Sequence, residues 1–80
     1  MAPQKRVEIR IFRPPGYDDV HPDLVAEDAM REGWPYEVLQ DEGAALLVAV
    51  DHVEGYERAA KRELAAEAVK ATWQKYWRLA

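Results

Sequence analysis

The sequence predicts an α+β domain built β-α-β-β-α, with a three-stranded antiparallel sheet in the order 1-3-2, two helices on one face and a long C-terminal helix. Three observations carry that reading. Residues 5–13 (KRVEIRIFR) alternate apolar and polar, the period of a half-buried strand. Residues 44–50 (AALLVAV) are apolar on both faces, as in a strand covered from two sides. Residues 55–80 (GYERAAKRELAAEAVKATWQKYWRLA) contain no proline and are rich in strong helix formers.

In the first strand the alternation sets Val7, Ile9 and Ile11 on one side and Glu8, Arg10 and Phe12 on the other. Pro14, Pro15 and Gly16 end it, because proline cannot donate to a ladder. A loop leads to Pro22, which suits the first position of a helix, and Asp23 suits the positive end of that helix. The helix is expected over 22–32, with Val25, Ala26, Ala29 and Met30 inward, Leu24 at the margin, and Gly33 then Pro35 to stop it. Residues 34–40 form the second strand, with Tyr36 and Val38 opposing Glu37 and Leu39. Asp41, Glu42 and Gly43 make the hairpin turn into the third strand. Asp51 and Glu54 have the spacing of a capping box for the last helix.

A right-handed first crossover makes strands one and two parallel, with strand three, the most apolar, antiparallel between them. This resembles the ferredoxin-like β-α-β-β-α-β plan without its last strand, and it leaves strand one as an open edge. The same element order, with a long terminal helix, is similar to the small DNA-damage-inducible modulators of recombinase filaments. Their terminal helix is strongly acidic and this one is mixed in sign, so no activity is taken from that likeness.

Eighty residues make one domain, 1–80, near the size at which a single core only just suffices. With no cysteine for disulfides or a thiolate-bound metal, self-association is the remaining ordinary support, and a homodimer is expected. There is no serine, asparagine or cysteine, and Thr72 is the only threonine, which excludes Ser and Cys nucleophiles. No apolar run suits a signal peptide or a membrane span, so a cytoplasmic protein without membrane attachment is the expectation.

Charge is unevenly distributed. Residues 1–17 carry a balance of +3, residues 18–42 of −8 and residues 43–80 of +1. The acidic middle opposes contact with a nucleic-acid backbone and suits a basic protein partner, although a solvated helix face explains it as simply. Asp18, Asp19, Glu27 and Asp28 are the residues of that acidic surface.

The long helix, at about 1.5 Å per residue, should overhang its own sheet and carry Trp73, Tyr76 and Trp77 beyond it. On the sheet face away from the helices, Phe12, Leu39 and Leu47 need a cover. These six residues are the expected interface, set against the plainer reading that the aromatics fill the monomer's own core.

Other clusters say less. Asp18, Asp19, His21 and Asp23 do not match a calcium loop, and His52 with Asp51 and Glu54 lies at the far end of the sheet from His21. No catalytic, metal or cofactor site is therefore expected. Pro14-Pro15-Gly16-Tyr17 fits the PPxY pattern read by WW domains, and equally a strand-ending loop. The leading reading is a non-enzymatic interaction or regulatory domain that docks an acidic and aromatic surface on a larger protein. The alternatives are a nucleic-acid-associated module using the basic N-terminal segment and the long helix, and a small-molecule or enzymatic domain on the open sheet face.

Overall fold

The computed structural model describes residues 6–51 and 61–79. The elements are β1 (Arg6–Phe12), α1 (Pro22–Ala29), β2 (Tyr36–Asp41), β3 (Ala45–Asp51), α2 (Lys61–Ala68), a 3-10 helix (Ala71–Tyr76) and β4 (Trp77–Leu79). The four strands form one antiparallel sheet in the order β2-β3-β1-β4. Among the described residues, no helix is long and apolar enough to cross a membrane.

The alternation in β1 and β3 builds the core directly. Val7 pairs with Val50, Ile9 with Val48 and Ile11 with Leu46, and all six are buried on the face that both helices cover. Val25, Ala26, Ala29 and Met30 of the α1 segment pack there, as the 3.6-residue period requires, and Leu24 is left 58% exposed. Leu64, Ala65, Ala68 and Val69 contribute from the other helical segment. Alanines at 26, 29, 65 and 68 let the helices approach the sheet closely.

The expected three-stranded sheet and long terminal helix are both overturned. The helix stops at Ala68, and the chain turns through an isolated antiparallel bridge between Met30 and Val69. The N–H of Arg31 donates to the carbonyl of Ala68 (2.7 Å), and the N–H of Lys70 donates to that of Ala29 (2.9 Å). The segment past each helix thus closes the C-terminal end of the other, and for α2 no glycine or proline announces the stop. The 3-10 turn then lowers Trp77 and Leu79 beside β1, where Trp77 pairs with Ile11 and Leu79 with Ile9. The order is accordingly not 1-3-2 alone, and strand one is no open edge: β4 completes the split β-α-β-β-α-β arrangement.

Why the helix yields is a matter of competing burial. Continuing it would leave the β1 ladder unpaired and hold three large aromatics away from the sheet. Val69, Thr72, Trp73, Tyr76 and Trp77 are middling helix formers at best, and they are at home in strands.

Smaller boundaries moved for similar reasons. The helix expected over 22–32 ends at Ala29, because Met30 takes extended geometry to make the bridge. Gly33 instead forms a turn at φ 88°, with the N–H of Trp34 donating to Arg31. Glu54 of the proposed capping box, His52 and the helix start at Gly55 lie outside the described residues.

Candidate functional site

Among the described residues, neither helix covers the second side of the sheet. By the two-residue period it carries Arg6, Glu8, Arg10 and Phe12 of β1, Ala45, Leu47, Ala49 and Asp51 of β3, Glu37 of β2 and Arg78 of β4. Phe12 and Leu47 are half-buried, and Ala45 and Ala49 are sealed beneath larger neighbours. Ion pairs frame this apolar strip. Arg6 binds Asp51 at 2.9 Å and lies 3.7 Å from Glu37, and Arg10 binds Glu42 at 2.9 Å. Each arginine is held above its usual range, first by the hydrogen bond to that carboxylate. The Arg78 guanidinium lies over the Phe12 ring, 4.8 Å from its centre.

Leu39 stands apart from Phe12 and Leu47. It sits where the β2 register slips between Val38 and Gln40, a bulge that leaves it 41% exposed.

The terminal aromatics are not carried on an overhang. Trp73 is 5% exposed, inside the core, with its ring edge-on to Tyr17 at 5.4 Å. A ring so fully enclosed has almost no surface to offer a partner. Trp77 is half-buried against the core from β4, and half-buried Tyr76 has the Lys75 ammonium 4.9 Å above its ring.

The loop between β1 and α1 is organised by Arg13, a residue that sequence alone marks only as one basic charge. Its side chain is 4% exposed. One terminal nitrogen donates to the carbonyls of Tyr17 and Val20 at 3.0 and 2.6 Å, and the other donates to Asp41 at 3.1 Å. Its Nε is buried without a protein partner. Asp41 also accepts from the N–H of Gly43, and that bond first, with Arg13 after it, holds the carboxyl below its ordinary range against an opposing effect of burial.

This arrangement bears on two motifs. Tyr17 of the PPxY sequence packs on Trp73 and donates to Asp28 at 3.3 Å, so its ring is turned inward rather than offered to a WW domain. The negative charge of Asp28 raises the Tyr17 hydroxyl above its usual range. The arginines of the basic N-terminal segment are also committed: Arg6, Arg10 and Arg13 each hold a carboxylate, which leaves them poorly placed to neutralise phosphates.

Asp18, Asp19 and Glu27 are exposed, as is Asp28 apart from its bond to Tyr17. His21 caps α1 by accepting the N–H of Asp23 on Nδ1, the structural role available to a histidine at that position. Among the described residues, no three metal-ligand side chains gather closely enough to hold an ion. A groove of about 370 Å³ between Met30, Trp34, Tyr36 and Lys70 is walled by Glu27, Arg31 and Glu32. Burial, and then the charges of Glu27 and Asp23, raise the Tyr36 hydroxyl.

Arg78 and the strand that bears it are what sequence reasoning missed. Trp77-Arg78-Leu79 alternates apolar, charged, apolar, a strand signal too short to stand against the helix formers before it. Comparison with protein-family models, curated proteins and solved structures finds no match to this chain.

Proposed function

We propose that this chain is a small non-enzymatic interaction domain that self-associates through the open face of its sheet. The observation that supports the reading is the strip of Phe12 and Leu47 over Ala45 and Ala49, framed by the Arg6 and Arg10 ion pairs. An apolar centre within a polar rim is the usual anatomy of a protein interface. Arg6, Arg10 and Arg78 and the four carboxylates of Glu8, Glu37, Glu42 and Asp51 lie on or beside this face. A second copy turned by a two-fold axis can match such mixed charge; a phosphate backbone cannot.

Magnitude decides how tight the pair should be. Strands of 7, 6, 7 and 3 residues, about 4.8 Å apart and rising about 3.3 Å per residue, give a platform of roughly 360 Å². Stable complexes bury about 800 Å² on each partner. The dimer is therefore weak and concentration-dependent, and exposed Asp18, Asp19, Glu27 and Asp28 stay available to a larger, basic protein.

Sedimentation velocity over a concentration series tests this. The wild type should move from monomer toward dimer, and Leu47→Gln, which places an amide in the apolar strip, should stay monomeric with its fold intact by circular dichroism. A wild type that remains monomeric to its solubility limit removes the reading.

A further inference from the structure

The sheet has two edges, and they are built differently. On the β2 side the register slips at Leu39, and the strand carries Glu37, Gln40 and Asp41. A bulge of this kind turns an edge away from other chains. On the other side β4 pairs with β1 alone, through a regular three-residue register. The backbone groups of β4 that point away from β1 have no strand beside them among the described residues. Next to them lies a groove of about 440 Å³ lined by Gln74, Trp77, Arg78 and Leu79.

Among the described residues, the charge at this edge is unbalanced. Arg78 pairs directly with Arg10 across the ladder, and like charges so placed repel. Glu42 answers Arg10 at 2.9 Å. Arg78 is exposed and rests on the Phe12 ring, and no described carboxylate lies within ion-pair distance of it.

We propose that the outer edge of β4 accepts an extended acidic segment of another protein as a fifth strand. Adding a strand supplies the missing backbone partners, and alternate side chains set the specificity. The residue beside Arg78 shares its face, so it is Asp or Glu. The residues on either side of it point to the helix face, against Trp77 and Leu79, and are apolar. The segment recognised therefore reads apolar-acidic-apolar.

The same geometry disfavours a second copy at this edge. Two β4 strands meeting about a two-fold axis place Arg78 against Arg78, a repulsion that adds to the one from Arg10. The chain's own Tyr36-Glu37-Val38 has the recognised alternation, but Glu37 lies beside Arg6 and the bulge begins directly after Val38. The edge site shares Arg78, which rests on Phe12, with the open face, but Leu47 lies two strands away in the sheet, so a substitution there disturbs the face and leaves the edge in place.

The experiment is a titration of ¹⁵N-labelled protein with two blocked peptides, one of alternating valine and glutamate and one of alternating valine and glutamine. The Leu47→Gln protein is titrated beside the wild type, so that failure of the face dimer and failure of the edge site give different results. The expected result is amide shifts concentrated at residues 77–79 in both proteins. The glutamate peptide should bind about two- to fivefold more tightly, the worth of an exposed ion pair. Arg78→Gln should equalise the two peptides, and Arg78→Lys should keep part of the preference. Equal binding of both peptides, shifts centred elsewhere, or no binding by the Leu47→Gln protein overturns the proposal. Growth of the wild type alone into edge-linked oligomers overturns it as well, because the occupant would then be a second copy.

Discussion

Lys70 donates its backbone N–H to the carbonyl of Ala29 at 2.9 Å, so the second residue past α2 caps the end of α1. The reciprocal bond from Arg31 to Ala68 completes the pair. Lys70 has φ −57°, which proline adopts without strain. Lys70→Pro therefore removes this donor with little other disturbance. It should cost about 1 to 3 kcal/mol, the penalty of a buried acceptor left unmade, while Lys70→Ala should cost far less. Urea unfolding followed by circular dichroism distinguishes them.

Trp73 is a core residue in this fold, and its replacement should show it. Trp73→Ala should lose roughly 3 to 5 kcal/mol, as truncation of a buried aromatic does. Trp73→Phe should lose much less, because it keeps a ring against Tyr17. Denaturant midpoints measure both, and a Trp73→Ala protein as stable as the wild type would contradict the assignment.

The loop from Pro14 to His21 hangs on Arg13. Arg13→Met keeps most of the aliphatic bulk but leaves the carbonyls of Tyr17 and Val20 without that donor. A destabilisation of about 2 kcal/mol is expected. Faster amide exchange in residues 14–21 should accompany it, with exchange in β3 least affected.

Acid should reach folded Asp41 late. Its carboxyl titrates below the ordinary value in the folded chain, so between the two values the unfolded chain binds more protons. Its contribution is thus complete above the unfolded value and is lost as pH falls through the lower, folded one. Asp41→Asn keeps an oxygen for the Gly43 N–H but has no proton to gain. The fall in urea midpoint from about pH 5 to 2 should be shallower for this variant than for the wild type.

At Gly43 the constraint is the backbone alone. Its φ is 84°, and a Cβ there would meet nothing within 4 Å. Gly43→Ala should cost roughly 1 to 2 kcal/mol through the left-handed conformation, and Gly43→Asn should recover part of it. Thermal melts provide the comparison.

The interior of the sheet was legible because its signals are local. Val7, Ile9 and Ile11 alternate in a strand bounded by two prolines, and Val25, Ala26, Ala29 and Met30 repeat at helical spacing after Pro22. Each pattern admits one way to hide its apolar side, and Gly33 and Gly43 both take the positive φ their turns require. The open sheet face followed from the same alternation, which set Phe12 and Leu47 opposite the core-facing residues.

What tertiary structure alone decided is the fate of residues 69–79. Locally they continue a helix rich in Ala, Glu and Lys, and no breaker contradicts that. Only the folded chain brings Ala29 and Arg31 to Ala68 and Lys70, and only there does β1 present an edge for Trp77 to Leu79. Helix propensity is worth tenths of a kilocalorie per residue. Burying Trp73 and pairing an open ladder are worth several, so the non-local contacts prevail and Arg78 comes to rest on the rim of the sheet.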